Sequence, residues 1–159
     1  MRIVAATAIV LLSAIPATAG EFIPPPPTAV GSHTDTKAFV GLNWTFGGAG
    51  AGPEAVVGVA RVKTEADGDA RGAKLSLHLP VRGGLSFGKV KLVGMTGESD
   101  RLAEAGLGWG AGEVFGTAGL WAPHLNLGVD FGLSGFSGNV GLNSLDEWEA
   151  PTVIALPPV

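Results

Sequence analysis

Hydrophobic and polar residues alternate along most of this chain, in short runs bounded by Gly, Pro, Asp or Asn. Eight runs stand out: Ala38–Phe46, Ala55–Thr64, Ala73–Leu79, Leu85–Thr96, Leu102–Gly110, Val114–Trp121, Leu125–Leu133 and Phe136–Leu145. In the first, Ala38, Val40, Leu42, Trp44 and Phe46 share one face. In the third, Ala73, Leu75, Leu77 and Leu79 oppose Lys74, Ser76 and His78. The fifth sets Ala103, Ala105, Leu107 and Trp109 against Glu104, Gly106 and Gly108. The seventh sets Leu125, Leu127, Val129, Phe131 and Leu133 against Asn126, Gly128, Asp130 and Gly132. The eighth sets Phe136, Gly138, Val140 and Leu142 against Ser137, Asn139, Gly141 and Asn143. Two runs fit less well. Ala55–Thr64 is apolar on both faces at its start, and Leu85–Thr96 changes phase near Lys89, where a bulge would account for the slip. No run carries a helical stripe, and Gly every few residues weakens any helix. Evenly spaced strands with regular turns predict an all-β chain, an antiparallel up-and-down barrel of about eight strands over residues 37–148.

Alternation does not say which face meets water. A soluble sheet buries its apolar face, whereas a membrane barrel turns it to lipid and points the other inward. Here the polar face is mostly Gly, Ser, Asn and Thr. Small residues of this kind suit the lumen of an eight-stranded barrel, which is only wide enough for side chains to fill it. Charges on the strands then need partners across that lumen. Arg61, Lys63, Lys74, Lys89 and Lys91 on the second to fourth runs, with Glu104 and Asp130 on the fifth and seventh, form the expected lumen charge network. Trp44, Phe46, Trp109, Trp121, Phe131 and Phe136 lie near run ends, where membrane barrels carry aromatic girdles.

Composition sharpens the choice. Only 15% of the 159 residues are charged while 46% are hydrophobic, and 26 are Gly. Water-soluble domains carry about 25% charged residues, so a chain this poor in charge hides its surface from water. It has no Cys, which excludes a disulfide framework, a Cys-ligated zinc and a thiol nucleophile. The net charge of −4 argues against nucleic acid as a partner. Residues 1–19 have the pattern of a cleaved signal peptide: Arg2, an apolar run from Ile3 to Ile15, Pro16, then Ala17-Thr18-Ala19. That run is shorter than the roughly 20 residues a spanning helix needs. Residues 20–36 read as a linker, its stretch from Glu21 to Thr36 holding Pro24–Pro27, and residues 149–159 as a C-terminal tail.

Taken together, the strand count, alternation, export signal, lack of Cys and Gly-rich aromatic strands resemble the small eight-stranded outer-membrane barrels of the OmpA and OmpX type. The resemblance is architectural and covers residues 37–148. It implies a location in the outer membrane of a Gram-negative cell, contact with outer-membrane lipid, and handling by the barrel-assembly machinery. It also implies short periplasmic turns and an aromatic end to the last strand. Glu65–Gly72 is as long as the first outer loop, Gly47–Glu54, and the nearest terminal aromatic is Trp148, in phase with Phe136.

Candidate chemistry is sparse. His33 falls in the linker, His78 shares a face with Ser76 and Lys74, and His124 follows Ala122-Pro123 in a turn. Neither His78 nor His124 has the His-x-Ser pattern of lipid A deacylase barrels. Glu65, Asp67 and Asp69 form an acidic turn, but Arg71 and Lys74 stand where a calcium loop needs further ligands. Gly47–Gly52 matches no phosphate-binding fingerprint. The sequence therefore predicts no catalytic residue, metal or cofactor, and a non-enzymatic barrel with a structural or envelope-maintenance role. The alternative is a soluble periplasmic or secreted β-barrel or sandwich that binds an apolar ligand or a protein partner.

Overall fold

The computed structural model describes residues 31–47 and 51–151. The signal-peptide pattern, the four prolines of the linker and residues 152–159 lie outside them. Eight strands follow in order: β1 (Ser32–Phe46), β2 (Gly52–Glu65), β3 (Asp69–Pro80), β4 (Lys89–Glu98), β5 (Arg101–Gly110), β6 (Glu113–Ala122), β7 (Leu125–Gly132) and β8 (Gly135–Asn143). Each pairs antiparallel with the next, and β8 returns to β1, closing an up-and-down barrel as the alternation predicts. Closure removes the unpaired edges that an open sheet would expose.

Up-and-down order puts the start of β1 and the end of β8 at one rim, here the near rim, with the β2–β3, β4–β5 and β6–β7 turns. The other four connections form the far rim. Most turns are tight. The β5–β6 hairpin turns on Ala111-Gly112, both at positive φ (51° and 82°), the geometry that matches strand twist. The β2–β3 connection is only Ala66–Gly68, closed by a 3.0 Å hydrogen bond from Gly68 N to Glu65 O. The eight-residue acidic stretch Glu65–Gly72 is thus mostly strand. β1 begins at Ser32, five residues inside the stretch read as linker, because Ser32–Thr36 pair with Arg61–Glu65.

The two awkward runs are explained by the walls they belong to. Leu85–Gly88 is loop, and β4 starts at Lys89, where the phase changes; the β3–β4 ladder continues from there to Glu98 without a bulge. β2 is apolar on both faces because Val56, Ala60 and Val62 line a part of the lumen that is itself apolar.

The outer wall carries the large apolar side chains. Val40, Leu42, Trp44, Phe46, Leu107, Leu120, Leu127 and Leu142 are all exposed, and such residues recur on every strand. Toward the near rim the wall of β1–β5 turns polar, with Ser32, Thr34, Thr36, Arg61, Lys63, Arg71, Glu98 and Arg101 outward.

The lumen has two layers. Near-rim residues Phe39, Val62, Met95, Leu102 and Trp121 form an apolar cluster. Leu145 and Trp148, from the segment after β8, complete it at 2% exposure each. The Trp121 and Trp148 rings lie 5.9 Å apart. Trp148 is therefore an inward stopper and not an outward terminal aromatic: β8 ends at Asn143, and the chain folds back under the barrel. Trp121 likewise points inward and is no part of an outer girdle. Gly58 makes room for this layer, since a Cβ there would meet the Phe39 ring at 2.6 Å. Above it lies a polar, charged layer.

Candidate functional site

The charged layer is built from strand residues of one parity. On β3, Lys74, Ser76 and His78 point inward; on β4, Lys89 and Lys91; on β2, Glu54; on β5, Glu104; on β7, Asp130. Three lysines therefore meet three carboxylates inside the wall. Lys74 pairs with Glu104 across the lumen and sits 6.0 Å from the Phe39 ring centroid. Lys89 bridges Glu54 at 3.3 Å and Asp130 at 3.0 Å. Asp130 also receives Lys91 and, at 2.8 Å, the Thr117 hydroxyl. Each charge has a charged partner and most have a second hydrogen bond, which is the condition for burying ion pairs without a large loss.

Five of the seven residues expected in a lumen network are found there: Lys74, Lys89, Lys91, Glu104 and Asp130. Arg61 and Lys63 are not. They point outward near the near rim, and Lys63 meets Glu65 at 3.5 Å on an exposed surface. The physical reason is parity: they share phase with Val57 and Val59, which face out. Glu54 and Thr117 join the network as well. Glu54 ends the Gly-rich stretch that reads as a loop, yet it keeps the inward phase of Val56, Gly58 and Ala60.

His78 joins this layer. Its Nδ1 lies 3.1 Å from Glu54 Oε2 and its Nε2 3.2 Å from Ser76 Oγ. The carboxylate can only accept, so a proton sits on Nδ1, and in the neutral ring Nε2 accepts from the Ser76 hydroxyl. These are the distances of a nucleophile, base and acid relay. The space beside them is small. Ser76 faces a cavity of about 40 Å³ between Phe39, Asn43 and Lys91, space for roughly one to three waters. The closed ladder also commits the neighbouring backbone N–H groups that an oxyanion hole would need. The arrangement orients and neutralises buried groups.

Below it, Asn126 Nδ2 donates to Asn43 Oδ1 at 3.2 Å, and Asn143 Nδ2 to Asn126 Oδ1 at 3.4 Å. Of the other titratable groups noted in the sequence, His124 sits at positive φ in the β6–β7 turn. His33 lies on β1 near Asp35 and the exposed Glu149, at 3.5 and 3.9 Å. Asp67 accepts from Asp69 N at 3.2 Å, closing the acidic turn on itself.

Above the charged layer the barrel opens at the far rim into a cavity of about 460 Å³, with Glu54, Lys89 and Asp130 as its floor. Phe115, Pro53 and Pro80 form part of its walls.

No protein-family model, curated protein or solved structure matches this chain. Its resemblance to small outer-membrane barrels therefore rests on architecture: eight antiparallel strands closed into a barrel.

Proposed function

We propose that this chain is a non-enzymatic β-barrel of the Gram-negative outer membrane with a structural or envelope-maintenance role. The observation that carries the proposal is the inverted wall, with large apolar side chains outside and ion pairs inside. Monomeric proteins in water rarely expose contiguous apolar patches beyond a few hundred Å². Here exposed Val, Leu, Phe and Trp residues recur on all eight strands. On β1 the apolar face runs from Ala38 to Phe46, nine residues, which at about 3.4 Å per residue and a tilt near 40° spans roughly 20 Å. That matches the strand length expected of a membrane crossing, about 9–11 residues. The polar outer residues of the near rim would then lie in the periplasmic interface, and the tight near-rim turns agree with this orientation. Five aromatics, Trp44, Phe46, Trp109, Phe131 and Phe136, face outward toward the far rim as an interfacial girdle would. Lipid is the main partner in this reading, with the barrel-assembly machinery acting during insertion. The filled lumen fits a structural role better than a general pore.

The test is fractionation of the mature protein, with heated and unheated samples of the outer-membrane fraction compared on a gel. The proposal expects sedimentation with outer membranes, resistance to high-pH extraction and a heat-dependent change in mobility. A protein released with the soluble periplasm, with no mobility change, would contradict it.

A further inference from the structure

We propose that the far-rim cavity binds a small organic anion, a carboxylate or phosphate group carried on a short apolar body. The volume, about 460 Å³, falls within the roughly 300–1,000 Å³ of small-ligand clefts, which favour barrel mouths. The walls are mainly apolar. Phe115 together with Pro53 and Pro80 offers ring and aliphatic surface to an apolar body. The charged groups around the mouth differ in what they have left to bind. Glu54 and Asp130 on the floor are covered by Lys89 and Lys91. Glu113, on the rim, accepts from the Ser134 hydroxyl and, at 3.4 Å, from its backbone N–H. Among the described residues Glu113 has no cationic partner, and Arg82 is the one base of the mouth with no carboxylate partner.

The backbone makes room for it. Gly52, at φ 148°, leaves the space in which the Arg82 side chain lies: a Cβ at residue 52 would meet Arg82 Nε at 3.2 Å and Cδ at 3.3 Å. The Val81 N–H donates to Pro53 O at 3.1 Å, fastening the start of the β3–β4 loop to the same edge of the mouth. An unpaired, exposed guanidinium thus lies beside an apolar cup. Its planar fork of donors matches a carboxylate or phosphate, and its weaker hydration eases their pairing. The neutralised floor removes the repulsion that two free carboxylates would impose.

The proposal does not depend on the membrane reading, since the cup and Arg82 belong to the barrel itself. The experiment uses the full mature chain, in uncharged lipid nanodiscs or, where fractionation finds it soluble, in buffer, titrated with hexanoate, hexyl phosphate, hexylamine and hexanol. The readout is the backbone amide resonances of Gly52, Phe115 and Gly132. Hexanoate, hexyl phosphate or both should shift them saturably, and hexylamine and hexanol should bind at least about tenfold more weakly. Binding of only one of the two anions assigns the headgroup. Arg82→Ala should weaken anion binding about tenfold or more, while Arg82→Lys, which keeps charge but loses the fork, should fall between. Both substitutions lie in a loop, and a native-like spectrum away from the mouth checks that the barrel has formed. Equal binding of amine and acid, no saturable shift with either anion, or unchanged affinity in Arg82→Ala would overturn the proposal.

Discussion

Glu54 and Arg61 stand on one strand and point to opposite faces of the wall, because seven is an odd number of steps. At this scale a charge's fate is set by its parity and by what the opposite wall supplies. Lys74 illustrates the energetics. Removing its charge alone leaves Glu104 buried without a partner, and such losses cost about 3–5 kcal/mol. Lys74→Met should therefore destabilise the barrel by about that amount, while Lys74→Met with Glu104→Leu should recover most of it. Urea unfolding in lipid vesicles checks this, and a double variant as unstable as the single one would refute the pairing. Much of the site was readable from sequence at residue scale. Lys74, Ser76 and His78 announce a common face by alternating with Leu75, Leu77 and Leu79. The outward course of Arg61 and Lys63 is legible too, since their phase is that of Val57 and Val59. What no local pattern supplies is the identity of the partners. That Lys89 reaches both Glu54 and Asp130 follows only from closing β1 onto β8.

Among the elements, the segment after β8 departs furthest from its expected role. It leaves the strand at Asn143, inserts Leu145 and Trp148 into the near-rim lumen, and is tied down by Lys37. The Lys37 ammonium donates to Asp146 Oδ1 and to Glu147 O, both at 2.8 Å, and lies 5.1 Å from the Trp148 ring centroid. Trp148 N adds a 3.2 Å bond to Ser99 O in the β4–β5 turn. Trp148→Ala should cost about 3–5 kcal/mol in the same urea experiment, as for other buried Trp and Phe truncations. A loss below about 0.5 kcal/mol would mean the segment does not seal the barrel. The hydrogen bond from Lys37 holds the Asp146 carboxyl below its usual value. A depressed folded value gives a contribution present above the unfolded pKa, near 4, and lost as pH falls through the folded one. Acidification through that window should loosen the segment, seen as a change in the Trp148 indole resonance, and Asp146→Asn should remove that step. The sequence did not reveal this element because Phe136 to Trp148 keeps a strand's even spacing. The break comes from Asn143, whose side chain accepts from Leu145 N at 3.0 Å and turns the chain inward.

For the molecule as a whole, strand number and the outward apolar face were legible because both depend on local repeats. Closure was legible only as the way to spare a sheet its edges, and the two-layered lumen was not legible at all. Val56, Ala60 and Val62 simply blur the alternation on β2 until the facing Met95, Leu102 and Trp121 are known. If the wall faces lipid, Leu107→Arg should destabilise the barrel in vesicles by about 2–4 kcal/mol, whereas Arg61→Leu near the rim should change stability little. In a water-facing wall, Leu107→Arg would be close to neutral. The most direct test exploits the absence of cysteine. Single cysteines placed in turn at Thr34, Thr36, Ala38, Val40, Leu42, Trp44 and Phe46, spin-labelled in vesicles, would be relaxed by lipid-soluble oxygen and by a water-soluble nickel chelate. The account predicts chelate access at Thr34 and Thr36, then dominant oxygen access through Val40, Leu42 and Trp44. Uniform chelate access along the whole series would mean that this face of the barrel meets water, and would contradict it.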